Sequence, residues 1–165
     1  MKELIGRISN YNLFNYLFPG VIFTVVLNKI SMYDLILENT FAGLFFYYFI
    51  GLVISRFGSL CIEPILKRAS FIEFADYNDF ISASKNDNKV ELFSEINNIY
   101  RTLISMLLLL LISKIFEVIE SNFLFMRDGV SYVLIFALII IFTFSYKKQT
   151  KYISKRVDYD KNKNI

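Results

Sequence analysis

Histidine is absent from all 165 residues, and cysteine occurs once, at Cys61. No imidazole base, haem-binding histidine or histidine-containing metal set is therefore available. A single cysteine supports neither a disulfide framework nor a thiolate zinc site. Tryptophan is also missing, and only two prolines and six glycines punctuate the chain. Carboxylate pairs exist, Asp76 with Asp79 and Glu91 with Glu95, but no glycine-rich phosphate loop or metal-ligand cluster accompanies them. Solvated helix faces explain them better than acid–base chemistry. The sequence predicts no enzyme, no cofactor and no metal.

What remains is strongly apolar. Hydrophobic residues make up 55% of the chain, and the mean hydropathy is +0.47. Several apolar runs approach membrane length, which predicts an all-α integral membrane protein with four transmembrane helices. No secretory signal is expected, because the first residues lack an apolar core followed by a cleavage site. The central stretch is Asn88 to Glu120, which contains neither glycine nor proline. Asn88 and Glu91 have N-cap spacing. One helix over this span would be roughly 48 Å long, against a hydrocarbon core of about 30 Å. Its first third is polar and its middle, Leu103 to Ile112, is almost purely apolar. The expectation is a third helix extended into a cytosolic helical hairpin.

In chain order, residues 1–62 read as an amphipathic segment and two spans. Leu4, Ile5, Ile8, Tyr11, Phe14 and Phe18 share a helical spacing; Pro19 and Gly20 should break or kink the helix; and the first span runs roughly Leu13 to Met32. Asn39 or Thr40 caps the second span, Phe41 to Ile62, which should end before Pro64. Residues 63–101 read as the hairpin. Ser70 and Glu73 form a capping-box pattern opening a helix over Phe71 to Ala83, and Ser84 to Asn88 forms a polar turn. Residues 102–146 hold spans three and four, the latter Val130 to Tyr146, and residues 147–165 form a basic tail.

Fifteen of the eighteen lysines and arginines fall in the segments that four spans would place on one side; only Lys29, Lys114 and Arg127 fall on the other. The positive-inside rule predicts both termini and the hairpin in the cytoplasm.

Four groups of residues are candidate sites. Gly51, Ser55, Gly58 and Ser59 make a small-residue stripe, suited either to packing within the chain or to a subunit interface. Lys114, Glu117 and Glu120 end the third helix; around an oligomer axis the two acids would form rings lining a cation pore, and otherwise they are a solvated helix end. Asn97, Asn98, Tyr100 and Arg101 cluster where the rod enters the membrane, as a ligand site or as interhelical polar contacts. Lys147, Lys148, Lys151, Tyr152, Lys155 and Arg156 belong to the tail, which carries seven basic and two acidic residues. Anionic lipid headgroups, the hairpin (five basic, seven acidic) and a nucleotide or oligonucleotide are its candidate partners.

A short four-span chain with a small cytosolic helical module and no catalytic inventory resembles the membrane effectors of bacterial anti-phage systems. The resemblance is architectural and spans the whole chain; residues 51–64 and 93–101 have the density of a family signature but attach to no named family. It implies a homo-oligomeric, pore-forming protein controlled by a cytosolic nucleotide-producing enzyme, and it assigns no binding residue. A non-conducting membrane scaffold that anchors a cytosolic partner is the alternative.

Overall fold

A computed structural model describes residues 10–122 and 129–163. The expected amphipathic start falls largely outside this range, as does most of the loop before the fourth span. All regular structure among the described residues is helical. Five helices follow in order: α1 (residues 10–30), α2 (Thr40–Arg68), α3 (Tyr77–Asn86), α4 (Asn88–Asn122) and α5 (Val130–Lys163). All but α3 are long and apolar enough to cross a membrane. The four apolar helices mark a multi-pass membrane protein.

Neither proline breaks its helix. Each follows a five-residue π-helical turn: Leu13–Leu17 before Pro19, and Gly58–Ile62 before Pro64. A proline inside an α-helix lacks an N–H and pushes its ring against the preceding turn. The wider π turn makes room, with Phe18 N–H donating to the Leu13 carbonyl and Glu63 N–H to that of Gly58. α2 thus runs six residues beyond its expected end at Ile62. α1 stops at Ile30, two residues short of the expected Met32.

Ser70 ends α2; it does not open the next helix. It adopts φ +53°, its N–H donates to the Lys67 carbonyl, and Phe71 N–H reaches the Leu66 carbonyl. This is a Schellman C-terminus with serine in the left-handed position. The expected helix from Phe71 begins instead at Tyr77, where Asp76 Oδ1 accepts from Asn78 N–H at 2.8 Å. Asp76 is therefore a cap. The expected turn at Ser84 to Asn88 shrinks to Asp87 alone, whose Oδ1 accepts from Lys89 N–H (2.9 Å) and caps α4 one residue before the expected Asn88. Asn39 caps α2 through Phe41 and Ala42 N–H, as the sequence predicts.

α1, α2 and α4 pack together around Leu27, Ile54, Ile62, Met106 and Leu110. α1 and α2 touch backbone to backbone. A Cβ at Gly20 would lie 1.8 Å from the Tyr47 carbonyl oxygen, and one at Gly51 would lie 1.7 Å from that of Tyr16. α5 lies outside this trio, against α2 through the Phe49–Phe142 ring pair (6.0 Å). No α5 residue with a described side chain is buried. The basic tail continues this helix to Lys163 without a break at Tyr146. At about 1.5 Å per residue, α4 and α5 each outrun a bilayer core by roughly 20 Å.

Candidate functional site

Three spans meet at a buried polar ring. Asn15 of α1 donates from Nδ2 to Ser55 Oγ of α2 (3.3 Å) and to Tyr11 Oη (3.2 Å). Thr102 Oγ1 of α4 lies 2.7 Å from Asn15 Oδ1, 3.1 Å from Ser55 Oγ and 2.9 Å from the Asn98 carbonyl oxygen. Asn15, Ser55 and Thr102 are each at most 3% exposed, so water cannot replace these bonds. Interhelical hydrogen bonds in membranes contribute about 0.6–2 kcal/mol each. The ring fixes how the three helices register.

About two turns further along α2 and one residue back along α4 lies a charged junction. Glu63, 6% exposed, accepts from Arg101 Nη1 of α4 at 2.5 Å and from Lys148 Nζ of α5 at 3.1 Å, with Lys67 Nζ at 3.6 Å. Lys148 Nζ also donates to the Ser59 carbonyl (2.8 Å) and hydroxyl (2.7 Å), which uses all three of its protons. The local backbone explains this contact. Glu63 N–H bonds to Gly58, and Pro64 has no N–H, so the helical donors that would reach the Ser59 carbonyl are diverted or missing. The lysine supplies that bond from another helix.

Beside the junction, α2 and α5 enclose a cleft of ≈ 340 Å³. Ser59, Leu60, Glu63, Pro64 and Lys67 line one wall, and Lys148, Lys151, Tyr152 and Lys155 line the other. Past the cleft, α5 meets α3: the Tyr77 and Tyr152 rings lie 6.3 Å apart, Ser82 Oγ and Tyr159 Oη 2.9 Å, and Lys85 and Asp160 3.5 Å.

The chain matches no family model, no curated protein and no solved structure. Function is therefore read from these residues.

The structure gathers four tail candidates, Lys148, Lys151, Tyr152 and Lys155, into one cleft; Lys147 is exposed and does not line it, and Arg156 lies 4.0 Å from Asp160. Of the four residues where α4 enters the bundle, Arg101 joins the junction and Asn98 lends its carbonyl to Thr102, whereas Asn97 and Tyr100 stay exposed. Gly51, Ser55, Gly58 and Ser59 are all buried against helices of the same chain. At the opposite end of α4, Lys114 Nζ pairs with Glu117 Oε2 (2.6 Å), whose Oε1 accepts from Met32 N–H (2.8 Å). Glu120 accepts from the Tyr33 hydroxyl. These acids clamp the α1–α2 connection onto α4. Glu63 and Lys67 escaped the sequence reading, and Ser59 entered it only as part of the small-residue stripe, although an acid directly before a proline in a basic segment was the available signal.

Desolvation first, then the bond to Glu120, pushes the Tyr33 phenol up from 10.0 to about 12. The native chain thus holds a proton that the unfolded chain releases near pH 10. The resulting stabilisation is complete below pH ~10 and is lost as pH rises through ~12. Tyr33→Phe should remove one late-ionising phenol from a tyrosinate absorbance titration. Glu120→Gln should lower that midpoint only partly, because the desolvation remains.

Proposed function

We propose that this chain is a homo-oligomeric, channel-like membrane effector, switched by a ligand at its cytoplasmic end, with α5 as the moving part. The observation that carries this reading is the attachment of α5: a helix with no buried side chain among those described, tied to α2 by the Lys148–Glu63–Ser59 junction. A helix held by a polar latch changes position when the latch is outcompeted; one held by a buried face does not. The distribution of basic residues supports a cytoplasmic location for the junction, both termini and α3. α4 leaves Ile104, Leu107, Leu111, Ile115 and Val118 exposed along one face, a surface for lipid or for further copies of the chain. What supports an anti-phage setting is the architectural resemblance.

Lys148→Met removes charge-assisted bonds worth about 1.5–3 kcal/mol, a ten- to hundredfold shift toward the released arrangement. Ion flux from proteoliposomes carrying this variant should exceed wild-type flux by that order. Equal, background-level flux from both proteins would sink the channel reading.

A second reading, a non-conducting scaffold for a cytosolic partner, is favoured by Glu117 and Glu120, which are engaged with Met32 and Tyr33. The mass of the particle in nanodiscs separates the two. A defined oligomer supports the channel, and a monomer leaves the scaffold.

A further inference from the structure

We infer that the cleft between α2 and α5 binds a phosphomonoester carried on an apolar body. Lys151 and Lys155 would be its first cationic contacts, and Leu60, Pro64 and the Tyr152 ring would receive the body. The inference names the ligand class of the ligand-switched reading above and rests on it.

Charge comes first. Among the described residues Lys67, Lys148, Lys151 and Lys155 line the cleft beside one carboxylate, Glu63, which also holds Arg101; Asp76 and Asp158 share a neighbouring cleft with Lys155. Glu63 serves Arg101, Lys148 and Lys67. Among the described residues no carboxylate lies within ion-pair distance of Lys151 or Lys155, and the Lys155 ammonium sits 5.5 Å over the Tyr77 ring. Two lysines without an ion pair suit a dianion. A phosphomonoester near neutral pH carries about that charge and three acceptor oxygens.

Shape comes second. Lys148, Lys151 and Lys155 are three and seven residues apart, one face of α5, opposite Ser59, Glu63 and Lys67, four and eight apart on α2. Leu60, Pro64 and the Tyr152 ring add apolar wall between the charges. The lysines follow directly on the apolar run of α5 that ends at Tyr146, which puts the cleft at the level of the bilayer interface. Inorganic phosphate would use only part of this site.

The consequence is competition. A bound phosphate offers Lys148 a second anion and weakens its hold on Glu63.

The test uses the full chain purified in detergent at physiological salt, titrated by calorimetry. The probes are dioctanoyl phosphatidate, adenosine monophosphate, inorganic phosphate and uncharged dioctanoylglycerol. One phosphomonoester should bind saturably, about tenfold or more tighter than inorganic phosphate, and dioctanoylglycerol should not bind. Binding by phosphatidate alone identifies a lipid ligand, and by the nucleotide alone a soluble one; binding by both means that the site reads the phosphate and tolerates either body. Lys151→Gln with Lys155→Gln should weaken binding about tenfold or more, whereas Lys147→Gln with Lys161→Gln, an equal charge loss outside the cleft, should leave it within about twofold. Glu63→Gln should tighten binding by removing the internal competitor. Should that variant fail to fold, the lysine pairs still decide. No phosphomonoester binding, or equal weakening by both lysine pairs, overturns the inference. Intact binding alongside an inert Lys148→Met in the flux assay overturns the switch reading instead.

Discussion

Alanine at position 51 is expected to separate α1 from α2 and to destabilise the protein by roughly 3–5 kcal/mol, an overpacking cost at the top of the usual range. The new Cβ would sit 1.7 Å from the Tyr16 carbonyl oxygen. That oxygen belongs to a helix backbone, so no side-chain rotation relieves the clash. The two helices must move apart by about 1.5 Å or more to restore ordinary van der Waals contact. Moving them apart stretches the Asn15–Ser55 bond and the Tyr16–Tyr48 edge contact (5.5 Å), both on the same crossing. Gly20→Ala should behave alike, since its Cβ would meet the Tyr47 carbonyl at 1.8 Å. Gly58→Ala should cost less, because its nearest obstacle is the Ser105 hydroxyl at 2.3 Å, a side chain able to turn. Gly43→Ala should cost under about 1 kcal/mol, because it meets only the Tyr47 ring, no closer than 3.2 Å. Thermal unfolding followed by circular dichroism in one detergent would rank the four. Equal melting for Gly51→Ala and Gly43→Ala would disprove the backbone contact.

Glu63→Ala is the second large effect, expected at about 3 kcal/mol, the low end for breaking a buried ion pair because its partners retain some exposure. Arg101 and Lys148 keep 19% and 26% of their side-chain surface exposed, enough for partial rehydration. Their charges would otherwise face each other across an emptied site. Lys148→Met in the Glu63→Ala background should therefore cost less than it does alone, with a coupling of about 1–3 kcal/mol in a double-mutant cycle. Additive losses would mean that Glu63 does not bind Lys148 in solution.

The spans were legible because each is a long apolar run, and Asn39 was legible as a cap because amide capping acts within three residues. Pro64 misled because a proline signals a break, while the π turn that accommodates it has no sequence signature of its own. Ser70 misled because serine followed by glutamate at the third position also fits a helix end when the serine takes a left-handed conformation. The small-residue stripe was legible as a packing surface but not as to which helix it meets. Glu63 could not be paired in advance, since Arg101 and Lys148 lie 38 and 85 residues away. Helical periodicity reports the face of one helix and says nothing of its distant neighbours.

The Ser59 carbonyl, deprived of its helical donors by Pro64 and the π turn, gives the chain an order of assembly. During synthesis α1, α2 and α4 complete the polar ring and the Arg101–Glu63 pair while α5 is still unmade. Lys148 lies 47 residues after Arg101, which corresponds to about 2–9 s at roughly 5–20 residues per second. Through that interval the nascent trio carries an unsatisfied carbonyl and a carboxylate without its Lys148 bond, both facing the position α5 will occupy. A chain stalled before Lys148 should keep these groups exposed and be a substrate for membrane quality control. α5, made after the other three spans, is thus the helix that completes the junction.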